Sequence, residues 1–98
     1  MLFRSSAERI ADLLVGQRLA ACVNILPGAR VVYRWQGTLE HNEEVPLLIK
    51  TTSARYAALE TVLRHEHPYE LPEIVAVPIT CGLPAYLDWV ATETLATP

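Results

Sequence analysis

The densest group of residues that could do chemistry lies at residues 64–70, where the chain reads Arg-His-Glu-His-Pro-Tyr-Glu. Imidazole nitrogens and carboxylate oxygens together suit a borderline divalent cation such as Cu²⁺ or Zn²⁺. His65, Glu66 and His67 are therefore candidate metal ligands, with Tyr69 close by. The structural alternative is a solvated helix end with an imidazole near the negative pole of the helix dipole, and the motif alone leaves both open.

The backbone conformation decides whether His65 and His67 can share an ion. Two extended residues at this spacing point the same way, whereas two helical residues diverge by about 200°. Pro68 disfavours a helical backbone at His67, so we expect the helix to end there. Helical phasing puts Glu66 on the apolar stripe of that helix and His65 off it.

The remaining reactive residues give weaker signals. Cys22 lies in a run that is apolar on both faces and reads as a small buried thiol, whereas Cys81 lies in a turn before Gly82, where exposure and a ligand or redox role stay open. Neither has a Cys or His at zinc-finger spacing. Because no nucleophile–base pair or glycine-rich phosphate loop is evident, the sequence predicts that the protein is not an enzyme.

Two aromatic residues and three acidic ones belong to a region that reads as a hairpin. Tyr33 and Trp35 share one strand face, where they pack either in the core or in a subunit contact. Glu40, Glu43 and Glu44 are expected at the solvated hairpin tip.

Hydropathy patterning predicts the elements that position these residues. Helical stripes cover residues 7–18, residues 53–67 and a segment that begins near residue 84. Buried or alternating strands cover residues 19–26, 31–36, 45–51 and 73–79. The second and third strands form a long antiparallel hairpin with a turn over residues 37–44, interrupted at Pro27-Gly28 and at Pro46.

This order of elements predicts an α+β sandwich in one domain, residues 1–98. One further strand in front gives β-α-β-β-α-β plus a C-terminal helix, which is the ferredoxin-like plan. In that plan the first strand is central, and only residues 1–4 could supply it here. We expect that this strand is very short, that the start of the chain is truncated, or that another segment fills the gap.

Composition narrows the function. The 98 residues are 51% hydrophobic and 19% charged, with a formal net charge of −3. An acidic balance argues against binding to nucleic acid or to an anionic membrane, and no apolar run approaches the roughly 20 residues that span a bilayer. Two cysteines are too few for a disulfide framework, so we expect a cytoplasmic protein.

Six blocks of the sequence, in this order and at this spacing, resemble the CutA family, the divalent-cation tolerance proteins. The blocks lie at residues 19–28, 33–37, 49–52, 67–69, 72–74 and 86–89. The resemblance implies a ferredoxin-like subunit similar to the PII signalling proteins. It also implies a homotrimer whose long hairpins pair between subunits, and a role in tolerance of copper or another divalent cation. A PII-like module that senses a small molecule and a structural trimer that scaffolds a partner protein are the alternatives.

The resemblance also suggests metal ligands. In bacterial members the copper site uses a cysteine of the first strand and two adjacent histidines before Pro-Tyr. The second histidine corresponds to His67, and the first falls on Glu66, which can bind a cation through oxygen. The family's cysteine has no counterpart in this sequence, and His65 is a possible substitute ligand.

Overall fold

The computed structural model describes residues 4–67 and 70–96, which form an α+β structure. The described helices are α1 (Arg4–Gly16), α2 (Ser53–Glu66) and α3 (Pro84–Glu93). The described strands are β1 (Cys22–Ile25), β2 (Ala29–Trp35), β3 (Thr38–Glu44) and β4 (Leu47–Lys50). All pairing between these strands is antiparallel. The predicted α+β class is confirmed.

The predicted long hairpin is present, and a bulge divides it into two ribbons. β1 pairs with β4 and β2 pairs with β3. Between Ile25↔Leu47 and Ala29↔Glu44, three residues on one strand lie opposite two on the other, so the first strand carries one extra residue. The Leu26 N–H still donates to the Pro46 carbonyl at 3.0 Å. The interruption therefore falls where the two prolines predicted it.

The hairpin turn is shorter than the sequence suggested. β2 and β3 are joined by Gln36 and Gly37, with φ angles of 49° and 81°, as a two-residue type I′ turn requires. The expectation of a turn over residues 37–44 was wrong, because most of these residues form β3. Pairing with β2 supplies hydrogen-bond partners that outweigh the low strand preference of Glu and Asn. Consequently Glu40 and Glu44 are half-buried along the ribbon rather than at its tip.

The core lies between α1, α2 and the β1–β4 ribbon. The predicted stripe of α1 is buried in full: Ala7, Ile10, Ala11 and Leu14. Leu59 and Leu63 of α2 complete it from the other helix. The loop before β1 is held by Thr51, whose hydroxyl donates to the Leu19 carbonyl at 2.7 Å. These contacts fix α2, and hence its last turn, against α1.

The prediction of a buried strand at residues 73–79 was wrong. These residues pair with no strand among those described, and Val75, Val77 and Ile79 are 77%, 79% and 72% exposed. Only Ile74 packs against the core. Alternating apolar residues predict an extended chain, but a strand also needs a neighbour. The described chain begins with α1 at Arg4, so it places no strand in the central position of the ferredoxin-like plan.

The third helix also differs from its expected burial. α3 begins at Pro84 as predicted, but Val90 is its one buried residue, while Leu87 is exposed. The adjoining segment at residues 73–79 joins no sheet in the described chain. None of the helices in residues 4–67 and 70–96 has the length and apolar character needed to cross a membrane.

Candidate functional site

The candidate ligands lie at the C-terminal end of α2. The helix ends at Glu66, and His67 follows with an extended backbone (φ −78°, ψ 133°), as Pro68 predicted. The His67 N–H donates to the Leu63 carbonyl at 2.8 Å, which closes the helix. His65 is therefore helical and His67 extended, so neither of the two simple geometries for sharing an ion applies.

The Glu66 carboxylate has partners on both oxygens. Arg9 Nη1 of α1 lies 2.6 Å from Oε1, and His65 Nδ1 lies 3.0 Å from Oε2. These hydrogen bonds, from Arg9 first and then from His65, hold the pKa of Glu66 below its usual value. Glu66 is therefore ionised at neutral pH, and it is largely covered, whereas the His65 side chain is 84% exposed. The predicted phasing of these two residues is confirmed.

His65 and Glu66 form a pair of donors that suits one cation. Atoms 3.0 Å apart can both reach an ion at distances of about 2.1 Å, as nitrogen and oxygen ligands of zinc do. The chemistry of the pair thus fits a borderline divalent cation. Within residues 4–67 and 70–96, no three His, Cys, Asp or Glu side chains converge to hold a metal ion. Tyr69, predicted to be close by, lies outside the described residues.

His67 occupies a different environment from His65. It is half-buried, and this burial lowers its pKa, while the Glu44 carboxylate at the end of β3 acts in the opposite direction. A lowered pKa keeps the imidazole neutral at pH 7, which is the form that binds metals. Of the three predicted ligands, the structure pairs His65 with Glu66 and does not join His67 to them in a group of three.

A shallow groove of about 320 Å³ adjoins this helix end. It is lined by Thr61, Arg64, His65, Glu70 and Pro72. The groove therefore shares His65 with the candidate metal ligands.

The other reactive and aromatic residues lie away from the core. Cys22 is half-buried in β1 rather than fully buried, and Cys81 is exposed. Tyr33 and Trp35 are exposed on the ribbon, so the first of the two alternatives, packing in the core, does not apply to the single chain. Tyr33 accepts a hydrogen bond from the Asn42 amide across the ribbon.

Arg9 is the residue of this site that sequence reasoning missed. It lies 57 positions from Glu66, so no local motif connects them. One signal was available: a carboxylate on the stripe that packs against another helix needs a cationic partner, because burying a charge without one is costly. Pairing α1 with α2 would then have pointed to an arginine or lysine on α1.

Three helices and an antiparallel hairpin, with a His–Glu donor pair at a helix end, define a small α+β protein. The family model described as "CutA1 divalent ion tolerance protein" matches residues 3–93. The chain belongs to this CutA1 family.

Individual relatives agree with this assignment. The chain is 49% identical over 88 residues to the divalent-cation tolerance protein CutA of Thermus thermophilus, covering 90% of this chain and 85% of the relative. A solved Cut A1 structure from Thermus thermophilus superposes with a TM-score of 0.93 at 46% identity, covering 96% of this chain and 91% of that one. A "PII-like protein CutA" from Nostoc sp. PCC 7120 superposes with a TM-score of 0.90 at 35% identity, covering 97% and 92%. The ferredoxin-like expectation is thereby confirmed.

Proposed function

We propose that this protein is a non-enzymatic, homotrimeric divalent-cation tolerance protein that binds Cu²⁺ or another divalent cation at the end of α2. The relatives are named for divalent-cation tolerance, which supports the general role. The observation that carries the site is the His65–Glu66 pair, whose nitrogen and oxygen lie 3.0 Å apart. His65 Nδ1 and a Glu66 oxygen would hold the ion, and the neutral imidazole of His67 would be a further ligand.

The exposed apolar surface supports the proposal of a trimer. Tyr33 and Trp35 on the ribbon, and Trp89 on α3, are large side chains left exposed in the single chain. Exposed aromatic groups of this kind are typical of the cores of subunit interfaces.

We also propose a cytoplasmic location, since the two thiols are free; subcellular fractionation would test it.

Titration calorimetry with CuCl₂ tests the assignment of His67. We expect His67→Ala to weaken Cu²⁺ binding about tenfold or more, because a neutral imidazole ligand is lost. His41→Ala is the matched control, since His41 is an exposed histidine of β3. Equal Cu²⁺ affinities for wild type and His67→Ala would remove His67 from the site.

A second candidate function is a PII-like module that senses a small molecule. The structural similarity to the "PII-like protein CutA" from Nostoc sp. PCC 7120 supports it. Calorimetric titration with nucleotides alongside metal ions separates the two functions. Binding of a nucleotide without any binding of divalent cations would favour the sensor.

A trimer that only scaffolds a partner would retain that partner in a pull-down whether or not a chelator is present.

A further inference from the structure

The Arg9–Glu66 ion pair joins two helices at the candidate metal site. Arg9 Nη1 and Glu66 Oε1 are 2.6 Å apart, and the two residues lie on α1 and α2. Arg9 is half exposed, whereas Glu66 is largely covered. The contact is charge-assisted and belongs to the stronger kind of hydrogen bond. The pair therefore occupies one oxygen of the carboxylate that a cation at this site would need.

A cation bound by His65 and Glu66 would meet the positive charge of Arg9 on the same carboxylate. His65 Nδ1 faces Oε2 and Arg9 faces Oε1, so the ion and the guanidinium would lie on neighbouring oxygens. Two positive charges on neighbouring oxygens of one carboxylate repel each other, and a divalent ion repels the guanidinium twice as strongly as a monovalent ion would. A carboxylate that keeps Arg9 is thus a weaker ligand than one from which Arg9 has moved away.

We propose that Arg9 competes with the cation for Glu66, so that binding of a divalent cation displaces Arg9 and releases the α1–α2 ion pair. This inference rests on the proposed cation site. Arg9 is a positioning residue, because it acts through Glu66 and does not bind the ion. Cation binding is thereby coupled to the contact between the two helices that enclose the core.

The test compares two variants that each lose one positive charge near the end of α2. Arg9→Ala removes the ion pair. Arg64→Ala, the matched control, removes an exposed arginine with no hydrogen bond or ion pair to Glu66 within the described residues. Calorimetric titration with CuCl₂ and with ZnCl₂ at pH 7 gives the affinity of each variant. Arg9→Gln serves as a second variant if circular dichroism shows that Arg9→Ala is not folded.

We expect Arg9→Ala to bind Cu²⁺ about three- to tenfold more tightly than wild type, and Arg64→Ala to differ by less than about twofold. Adding Glu66→Gln to Arg9→Ala should abolish the gain, which shows that it passes through this carboxylate. A second readout is thermal unfolding, in which CuCl₂ should raise the Tm of Arg9→Ala more than that of wild type.

The outcomes separate the two proposals. If wild type binds Cu²⁺ and Arg9→Ala binds it equally or more weakly, competition by Arg9 is overturned while the cation site stands. An equal gain in Arg9→Ala and Arg64→Ala would also overturn it, because the effect would then be one of overall charge. If neither wild type nor any variant binds either metal ion, the proposed cation site itself fails, and the competition fails with it.

Discussion

Glu66 shows how far a sequence motif predicts a site at the scale of single residues. The motif gave the residue types, and helical phasing gave the covered position of Glu66 and the exposed position of His65. The ion pair with Arg9 could not be read from the motif, because it depends on how α1 packs on α2. Whether His67 shares an ion with His65 also stays a prediction, since the two residues have different backbone conformations.

The ion pairs of Glu66 predict a pH dependence of stability. The folded-state pKa of Glu66 is lowered, so the unfolded chain takes up its proton first as the pH falls. The stabilisation is therefore present above the unfolded-state pKa and is lost as the pH falls through the folded-state value. We expect wild type to lose more stability than Glu66→Gln between about pH 5 and about pH 3.

Urea unfolding in a metal-free buffer measures this difference. Glu60→Gln is a suitable control, because Glu60 is a carboxylate of the same helix that accepts a hydrogen bond from Tyr56 rather than from a cation. If the free energy of unfolding fell equally with pH in wild type and in Glu66→Gln, the ion pairs of Glu66 would add no stability.

Elements whose signal is local were predicted well, and elements that depend on a distant neighbour were not. The stripe of α1, the start of α3 and the prolines of the hairpin bulge are local features, and the structure confirms them. β3 was missed because its polar residues become a strand only through pairing with β2. Residues 73–79 were assigned as a strand because alternation detects an extended chain but not the absence of a partner.

The exposed row of residues 73–79 predicts how two substitutions should differ. Val77 is exposed and Leu14 is fully buried. We expect Val77→Lys to change the free energy of unfolding by less than about 0.5 kcal/mol, and Leu14→Ala to cost about 2–5 kcal/mol. A lysine in this exposed apolar row should also reduce association beyond the trimer.

Urea unfolding and light scattering over a range of concentrations test this pair of variants. If Val77→Lys destabilised the protein as much as Leu14→Ala, residues 73–79 would be buried in the folded protein in solution. If light scattering showed the same association for Val77→Lys as for wild type, the exposed row at residues 73–79 would not drive association beyond the trimer.

At the scale of the whole molecule, the single chain leaves large aromatic side chains exposed on two separate elements. The ribbon exposes Tyr33 and Trp35, and α3 exposes Trp89. A chain of 98 residues buries a smaller share of its surface than a larger domain does, so association stabilises it disproportionately. The exposed aromatic side chains therefore support the proposed trimer.

Native mass spectrometry of the protein with and without equimolar CuCl₂ tests the proposed trimer and the proposed cation site in one measurement. We expect a species of three times the 10.9 kDa chain mass in both samples. With Cu²⁺ that species should carry up to one ion per chain, and the ions should be lost from a variant in which His65, Glu66 and His67 are all replaced by alanine. A species that takes up no Cu²⁺, or that retains the same number of ions in the triple variant, would contradict the proposed cation site at the end of α2.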